Sequence, residues 1–381
     1  MLIKLTEEQK MLQQVAREFA QNEIAPRDRW MDENGFDWDL AKKIVDSGFM
    51  GANIPEEYGG SGGSFVDGTI VVEEFAKASC SIAATVGAHW LASNLILDNG
   101  TDEQKKQYLP LAAQGKIFAF GLTEASAGSD AAGIQSVATE TENGWVLNGG
   151  KAWITNSGVA DYYIILAKTD PELGTKGISA FILPKDIEGL SIGKFEKKMG
   201  CRGSATCELA FDNIKLPKEA LLGKRGRGFV MAMQTLDIGR FNAAAICAGV
   251  CEHAVDIAAK YANERTAFGK PIKAFQGVSF RFADMYADIR AMEFLAYDAA
   301  YQKDAGESCT LAAAAAKLFA SEHGLKICLD CQQVFGGNGY SAEYDAERLV
   351  RDIRIWAVAE GSTEILRMIV SGQVLAGKAK W

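Results

Sequence analysis

Gly144 to Ser157 read GWVLNGGKAWITNS. Bulky apolar and β-branched residues alternate there with polar ones, and a pair of glycines interrupts them. That is the pattern of a half-buried strand. The same texture extends outward through DYYIILAKTD (Asp161–Asp170), GISAFILPK (Gly177–Lys185) and CELAFDNIKLP (Cys207–Pro217), each bounded by Gly, Asp, Asn or Pro. From about residue 118 to 225 the chain therefore reads as a compact β domain of about six to eight strands.

On both sides the period changes from two to that of a helix. Towards the N-terminus, Thr6-x-x-Gln9 and Thr101-x-x-Gln104 are capping boxes, and Met11, Leu12, Val15 and Phe19 follow the first at helical spacing. Between the two boxes, Ile54–Ser64 (IPEEYGGSGGS) is a glycine-rich loop. Beyond Gly228 three long amphipathic helices are expected, over Gly228 to about Glu264, Phe275 to Asp304 and Leu311 to Val334. A fourth is expected over the last thirty or so residues, making a helical bundle. The fold class is α+β: an N-terminal helical domain (1–117), a middle β-barrel or sandwich-like domain (118–226) and a C-terminal four-helix bundle (227–381).

Composition narrows the function by exclusion. With 381 residues, 48% of them hydrophobic and 23% charged, the chain has an ordinary globular composition. A formal net charge of −9 argues against a nucleic-acid binder, so any phosphate ligand must be held by local arginines and backbone amides. No stretch reads as a membrane span. The opening MLIKLTEEQKML has no apolar leader pattern, so a reducing cytoplasm is expected for the eight cysteines. Cys328-x-x-Cys331 has no partner pair at zinc spacing and reads as packed thiols, as do Cys247 and Cys251 one helical turn apart. GKRGRG (Gly223–Gly228) enters a helix from a β domain, without the βαβ setting of a dinucleotide fingerprint, and no P-loop occurs.

Chemistry enters through motifs. GLTEASAGSDAAG (Gly121–Gly133) and QVFGGNGY (Gln333–Tyr340), followed by RLVRDIRIWAVAEGSTEILR (Arg348–Arg367), resemble the two signatures of the acyl-CoA dehydrogenase family. KAWITN (Lys151–Asn156), LDIGR (Leu236–Arg240) and YANERTAFGKPIKAFQ (Tyr261–Gln276) lie between them in family order. The resemblance covers nearly the whole chain. It implies FAD as cofactor, an acyl-CoA substrate, an electron-transfer flavoprotein as acceptor and a homotetramer. A thioester α-proton is too weakly acidic for an unaided carboxylate, so a positioned and partly desolvated base is required. The resemblance makes that base Glu360, with flavin N5 accepting the β-hydride.

Carried over position by position, the resemblance assigns Phe120, Leu122, Thr123 and Ser129 to the loop facing flavin and pyrophosphate, and Trp153 with Thr155 to the opposite flank. Arg265, Phe268 and Gln276 are implied to reach the FAD of a neighbouring subunit, with Gln333 and Gly337 on its adenosine side. Ser362 and Glu364 complete the cofactor set. Ser129, Asp237 and Arg240 are implied to hold the CoA moiety, Arg240 supplying positive charge near phosphate or adenine. Gly361 lets backbone approach the thioester. Taken alone, Glu360 reads as a surface glutamate, Arg265 as a surface ion pair and Trp153 as a packed strand aromatic.

Departures from the family pattern concern the acyl pocket. The usual proline after TE is Ala125, and the tyrosine that usually precedes the base is Ala359. Trp90 lies in the segment that lines the acyl chain in relatives. Gly239 occupies the position from which isovaleryl-type members supply their base, which returns that role to Glu360. CSIAATVGAH (Cys80–His89) lacks the arginine of glutaryl-type members. These features point to a short, branched or alicyclic acyl group. Two rival readings remain: an acyl-CoA oxidase or related flavin enzyme using dioxygen, and a non-catalytic acyl-CoA or flavin binding protein.

Overall fold

The computed structural model describes residues 4–379. Six helices open the chain: α1 (Glu7–Phe19), α2 (Ala25–Asn34), α3 (Trp38–Asp46), α4 (Phe65–Ala78), α5 (Cys80–Asn99) and α6 (Asp102–Ala113). Both expected capping boxes form, each with the Thr hydroxyl accepting from the Gln amide N–H and the Gln side chain accepting in return. A third, Ser64 with Asp67, starts α4. Such a box satisfies two of the four amides that a helix start leaves unbonded.

Eight strands follow: β1 (Phe118–Gly121), β2 (Val137–Thr141), β3 (Gly144–Thr155), β4 (Tyr162–Lys168), β5 (Ile178–Pro184), β6 (Leu190–Ile192), β7 (Thr206–Leu216) and β8 (Leu221–Leu222). They pair in the order β6-β7-β3-β2-β4-β5-β8, with β1 also on β4, as one mixed sheet. β1 and β2 run parallel to β4, and the remaining pairings are antiparallel. The register of β3 against β7 shifts between Lys151 and Ile154, a bulge that re-aims the intervening side chains.

The last part contains α7 (Gly228–Glu264), a short hairpin of β9 (Thr266–Ala267) and β10 (Lys270–Pro271), then α8 (Gln276–Asp304), α9 (Thr310–Phe335), α10 (Ala346–Ile353) and α11 (Thr363–Leu375). The three long helices fall where the periodicity puts them. The fourth corrects the expectation of one continuous element. After α10 and a 3-10 turn (Arg354–Ala357), the helix breaks at Glu360, whose φ is +57°, and α11 starts afresh at Thr363. A left-handed glutamate followed by Gly361 at φ +92° cannot lie inside an α-helix.

Two helices, α5 and α7, are long and apolar enough to cross a membrane by length and composition, where the sequence reading found no such stretch. Both are mostly buried, α7 against α4, α8 and α9, so their apolar surface belongs to the protein core. All eight cysteines are buried and free, as the packed-thiol reading expects.

Candidate active site

The break between α10 and α11 sets the position of the Glu360 carboxylate. Glu360 is half-buried, but its Oε2 is sealed from solvent and has no hydrogen-bond partner. An unpaired buried carboxylate oxygen is costly, and native folds keep few of them. Burial raises the Glu360 pKa, and the charges of Lys317 and Arg240 oppose that rise.

The peptides around it are tied from behind. Arg240 Nε donates to the Glu360 carbonyl at 3.4 Å, and Lys317 Nζ donates to the Gly361 carbonyl at 2.6 Å. The carboxylate itself lies against α7 at Gly239. A Cβ added there would meet Glu360 Oε2 at 2.6 Å and Cδ at 2.9 Å, with Leu91 Cδ1 at 3.3 Å. Position 239 and the Glu360 carboxylate therefore compete for one volume, which gives a steric reason for glycine here.

Three residues expected near the substrate, Arg240, Asp237 and Trp90, have partners inside the protein. Arg240 is buried, and its Nη1 donates to Asp237 Oδ1 at 2.7 Å. Asp237 also accepts from the Thr310 hydroxyl at 2.6 Å, and burial raises its pKa. The charge assigned to a CoA phosphate is thus matched inside the protein, because a buried guanidinium needs a counter-ion. Trp90 is fully buried, its indole N–H donating to the Met50 carbonyl at 3.0 Å and its ring packed beside Gly68. It belongs to the N-terminal core, and its neighbour Leu91 is the residue that lies against α7 at Gly239. Ala359 lies half-buried beside the base.

A second cluster lies in the sheet. Thr123 accepts from the Ala152 amide at 2.9 Å, which fastens the loop after β1 to β3. Beneath the loop, Lys151 donates to Glu124 at 2.6 Å and to the Leu122 carbonyl at 3.1 Å. Glu124 also accepts from the Gln135 and Ser136 amides. Burial pushes Lys151 down to about 8, while Glu124 is held low because these bonds outweigh its own burial. Phe120 and Thr123 stay half-buried and Ser129 exposed on this loop; Leu122 is buried. Trp153 sits in the β3 bulge at φ +61° with 63% of its surface exposed. That overturns the packed-aromatic alternative. A tryptophan held outward on left-handed backbone offers an aromatic face that a planar ligand could stack on. Thr155 is half-buried two residues on.

A third cluster is at the far end of α7. Arg265 caps this helix, and it lines a cavity of about 370 Å³ with Tyr261, Phe335 and Gly337. Phe268, at φ +51° and 94% exposed, and exposed Gln276 lie on the hairpin and the start of α8; Gln333 is exposed nearby on α9. At about 1.5 Å of rise per residue, Arg265 lies roughly 37 Å along α7 from Arg240. The structure brings Arg265 and Gly337 to one cavity and separates them from the base. Ser362 and Glu364 open α11 directly after it, a helix start suited to negative charge.

Lys317 and Lys151 are site residues that sequence reasoning missed. A signal existed for Lys317: it falls on the stripe of Ala313, Ala314, Ala320 and Ser321, all buried.

A sealed, unpartnered carboxylate and an outward aromatic side chain suit removal of a proton beside a planar redox group. These are the parts of a flavin-dependent oxidoreductase. Comparison with known proteins gives the class its family. Models of the acyl-CoA dehydrogenase N-terminal, middle and C-terminal domains match residues 6–116, 119–214 and 226–375. A short-chain specific acyl-CoA dehydrogenase of Clostridium acetobutylicum is 43% identical, covering 97% of this chain and 98% of its own. The CarC subunit of the caffeyl-CoA reductase–Etf complex of Acetobacterium woodii is 40% identical, covering 97% and 99%. The solved butyryl-CoA dehydrogenase of Megasphaera elsdenii superposes with a TM-score of 0.96 at 40% identity, covering 98% and 100%. The chain belongs to the acyl-CoA dehydrogenase family and is an FAD-dependent oxidoreductase.

Proposed function

We propose that Glu360 is the base that takes the α-proton of an acyl-CoA thioester as the β-hydrogen leaves with its electron pair, giving the 2-enoyl-CoA. The observation that carries this reading is the Glu360 carboxylate, sealed from water at Oε2, unpartnered and set on left-handed backbone. Desolvation raises its basicity, and the absence of a hydrogen-bond partner leaves that oxygen free for a proton. Arg240 and Lys317 bond the successive carbonyls of Glu360 and Gly361, so the loop is preorganised before substrate arrives. Gly361, without a side chain, leaves room at the thioester. When bound, FAD supplies the two-electron acceptor. Trp153 and the Thr123 loop would hold it in one chain, and the Arg265 cavity would serve the FAD of a neighbour. The roughly 37 Å along α7 between Arg240 and Arg265 supports that division between subunits.

An oligomer, by family analogy a homotetramer, follows from the same reading. It would also cover Phe280 and Tyr286 of α8 and Met368 and Leu375 of α11, all large and exposed. Electron-transfer flavoprotein is the proposed redox partner, in keeping with the Etf-complex relative. The substrate is proposed to be a short, branched or alicyclic acyl-CoA. A relative named as a reductase makes enoyl-CoA reduction the direction to test beside oxidation. Domain boundaries near 117/118 and 226/227, and a cytoplasmic location consistent with eight free thiols, complete the proposal.

Glu360→Gln tests it. FAD content and acyl-CoA binding should persist while turnover falls by the roughly 10²–10⁴-fold of a lost general base. Near-wild-type turnover would remove Glu360 from the role. Flavin bleaching by straight, branched and alicyclic acyl-CoAs ranks substrates, and hydrogen peroxide release in place of flavoprotein reduction would reassign the acceptor.

A further inference from the structure

Lys317 is fully exposed to protein and not at all to water. Its small buried neighbours on α9 leave space for the ammonium but give it no charge partner. Among the described residues it forms no ion pair, and its Nζ donates to a neutral acceptor, the Gly361 carbonyl, at 2.6 Å. A lysine buried this deeply normally has a carboxylate beside it. The titratable groups that face it are Cys247 and Arg240 from α7, Glu360 from the break and Glu364 from α11. Glu364 is exposed, and Arg240 is already matched by Asp237 at 2.7 Å. The carboxylate left to feel an unmatched buried cation is Glu360.

We propose that Lys317 is the positioning residue of the base: its ammonium pins the Gly361 peptide, which fixes Glu360 on its left-handed backbone, and supplies the net positive charge that keeps the sealed carboxylate ionised. The proposal rests on Glu360 being the base. Desolvation drives Glu360 towards its neutral form, and only Lys317 and Arg240 oppose it. Arg240's field is largely cancelled by Asp237, so Lys317 carries the greater part of the opposition. Once Glu360 has accepted the α-proton, the same ammonium favours its release, which returns the base to its ionised form. Burial pushes Lys317 itself down to about 8, so it is mostly protonated at neutral pH and loses its charge as the medium becomes alkaline.

The test uses the FAD-loaded enzyme and butyryl-CoA. kcat/KM is followed from about pH 5.5 to 9.5 for wild type, Lys317→Gln, Lys317→Met and Glu360→Gln. The carboxyl infrared band that disappears in Glu360→Gln reports the protonation of Glu360 directly. In both Lys317 variants the acid limb and the infrared titration should move to higher pH together. A shift of about one unit gives about a tenfold loss on the acid side. The Lys317→Gln profile should converge with wild type above about pH 9, where wild-type Lys317 is neutral too, while Lys317→Met, which also loses the donor to Gly361, stays below it. Lys317→Gln keeps a donor for Gly361 and removes only the charge. An acid limb and carboxyl titration that stay in place in Lys317→Gln overturn the proposal. So does a loss equal at every pH, which would mark a structural role. If Glu360→Gln itself turns over normally, the base assignment has failed, and the infrared shift still reports whether Lys317 sets the carboxylate's ionisation.

Discussion

The loop after β1 and the break before α11 are held by the same device and tuned in opposite ways. Each has a buried lysine pushed down to about 8 that donates to a loop carbonyl, Lys151 to Leu122 and Lys317 to Gly361. Lys151 also meets Glu124 at 2.6 Å, and Glu124 collects two backbone amides. Charge and hydrogen-bonding capacity are matched locally, and the loop is fixed with no field left over. Lys317 has no such acid in an ion pair, and Glu360, the buried carboxylate that acts on it, keeps an oxygen bare. A matched pair makes a scaffold. An unmatched lysine and a partly bare carboxylate, held apart by one peptide, make a site whose protonation responds to its surroundings.

Substitution at each lysine should separate the two designs. Lys151→Met leaves Glu124 buried without its cation, and removing one partner of such a pair costs about 3–5 kcal/mol. Chemical denaturation of the middle domain should show a loss in that range, and a change below about 1 kcal/mol would put Lys151 on a par with Lys317. The next largest effect is expected at Gly239→Ala. Its methyl would lie 2.6 Å from Glu360 Oε2, so the carboxylate must move. A displacement of that order costs about a hundredfold in kcat. Alanine favours the helix by about 1 kcal/mol, so slower turnover should come with undiminished thermal stability. Unchanged kcat would mean that the carboxylate has room to spare.

Lys317→Met should have the opposite sign to Lys151→Met. Between about 8 and 10.5 the unfolded chain holds a proton that the folded chain has released, so wild-type stability rises with pH through that window. Below it the folded state bears the full cost of a buried, unpaired ammonium. Methionine removes the cost and should stabilise by about 1 kcal/mol at pH 7, an advantage that fades as pH approaches 10.5. Melting curves at pH 7 and 10 check both sign and slope. A destabilised variant at pH 7 would show Lys317 to be a structural anchor.

Local rules explain which parts were legible in the sequence. Thr6 and Gln9, or Thr101 and Gln104, state their helix starts within four residues, and the three long bundle helices repeat their period many times. The fourth helix reads as one element because helix-forming segments lie on both sides of a break that only the φ of Glu360 and Gly361 reveals. Arg240 is legible as a site residue, while its i,i+3 pairing with Asp237 shows only in the burial of both side chains. Trp90 and Leu91 differ by one step on α5, and one step turns a helix side chain by about 100°. Lys151 and Lys317 were missed for a shared reason. A lysine in the sequence carries a strong expectation of solvent, and only tertiary contacts reverse it.

The smallest effect on the fold is expected where the β loop meets its ligand. Trp153 is 63% exposed on left-handed backbone, so Trp153→Ala removes little buried surface and should change stability by no more than about 0.5 kcal/mol. Its backbone strain remains, because the bulge is set by the β3–β7 register and alanine is no freer at positive φ. If the indole is a cofactor wall, the same substitution should weaken FAD retention on gel filtration, since a large aromatic contact is lost from the bound state alone. Turnover with saturating FAD should then recover better than in Glu360→Gln, because the base loop is untouched. The contrast would sharpen the comparison between the two loops, one positioning a ligand through shape and the other a proton through charge. Full FAD retention by Trp153→Ala would leave the exposed tryptophan without that role and shift the binding surface to the Thr123 side of the loop.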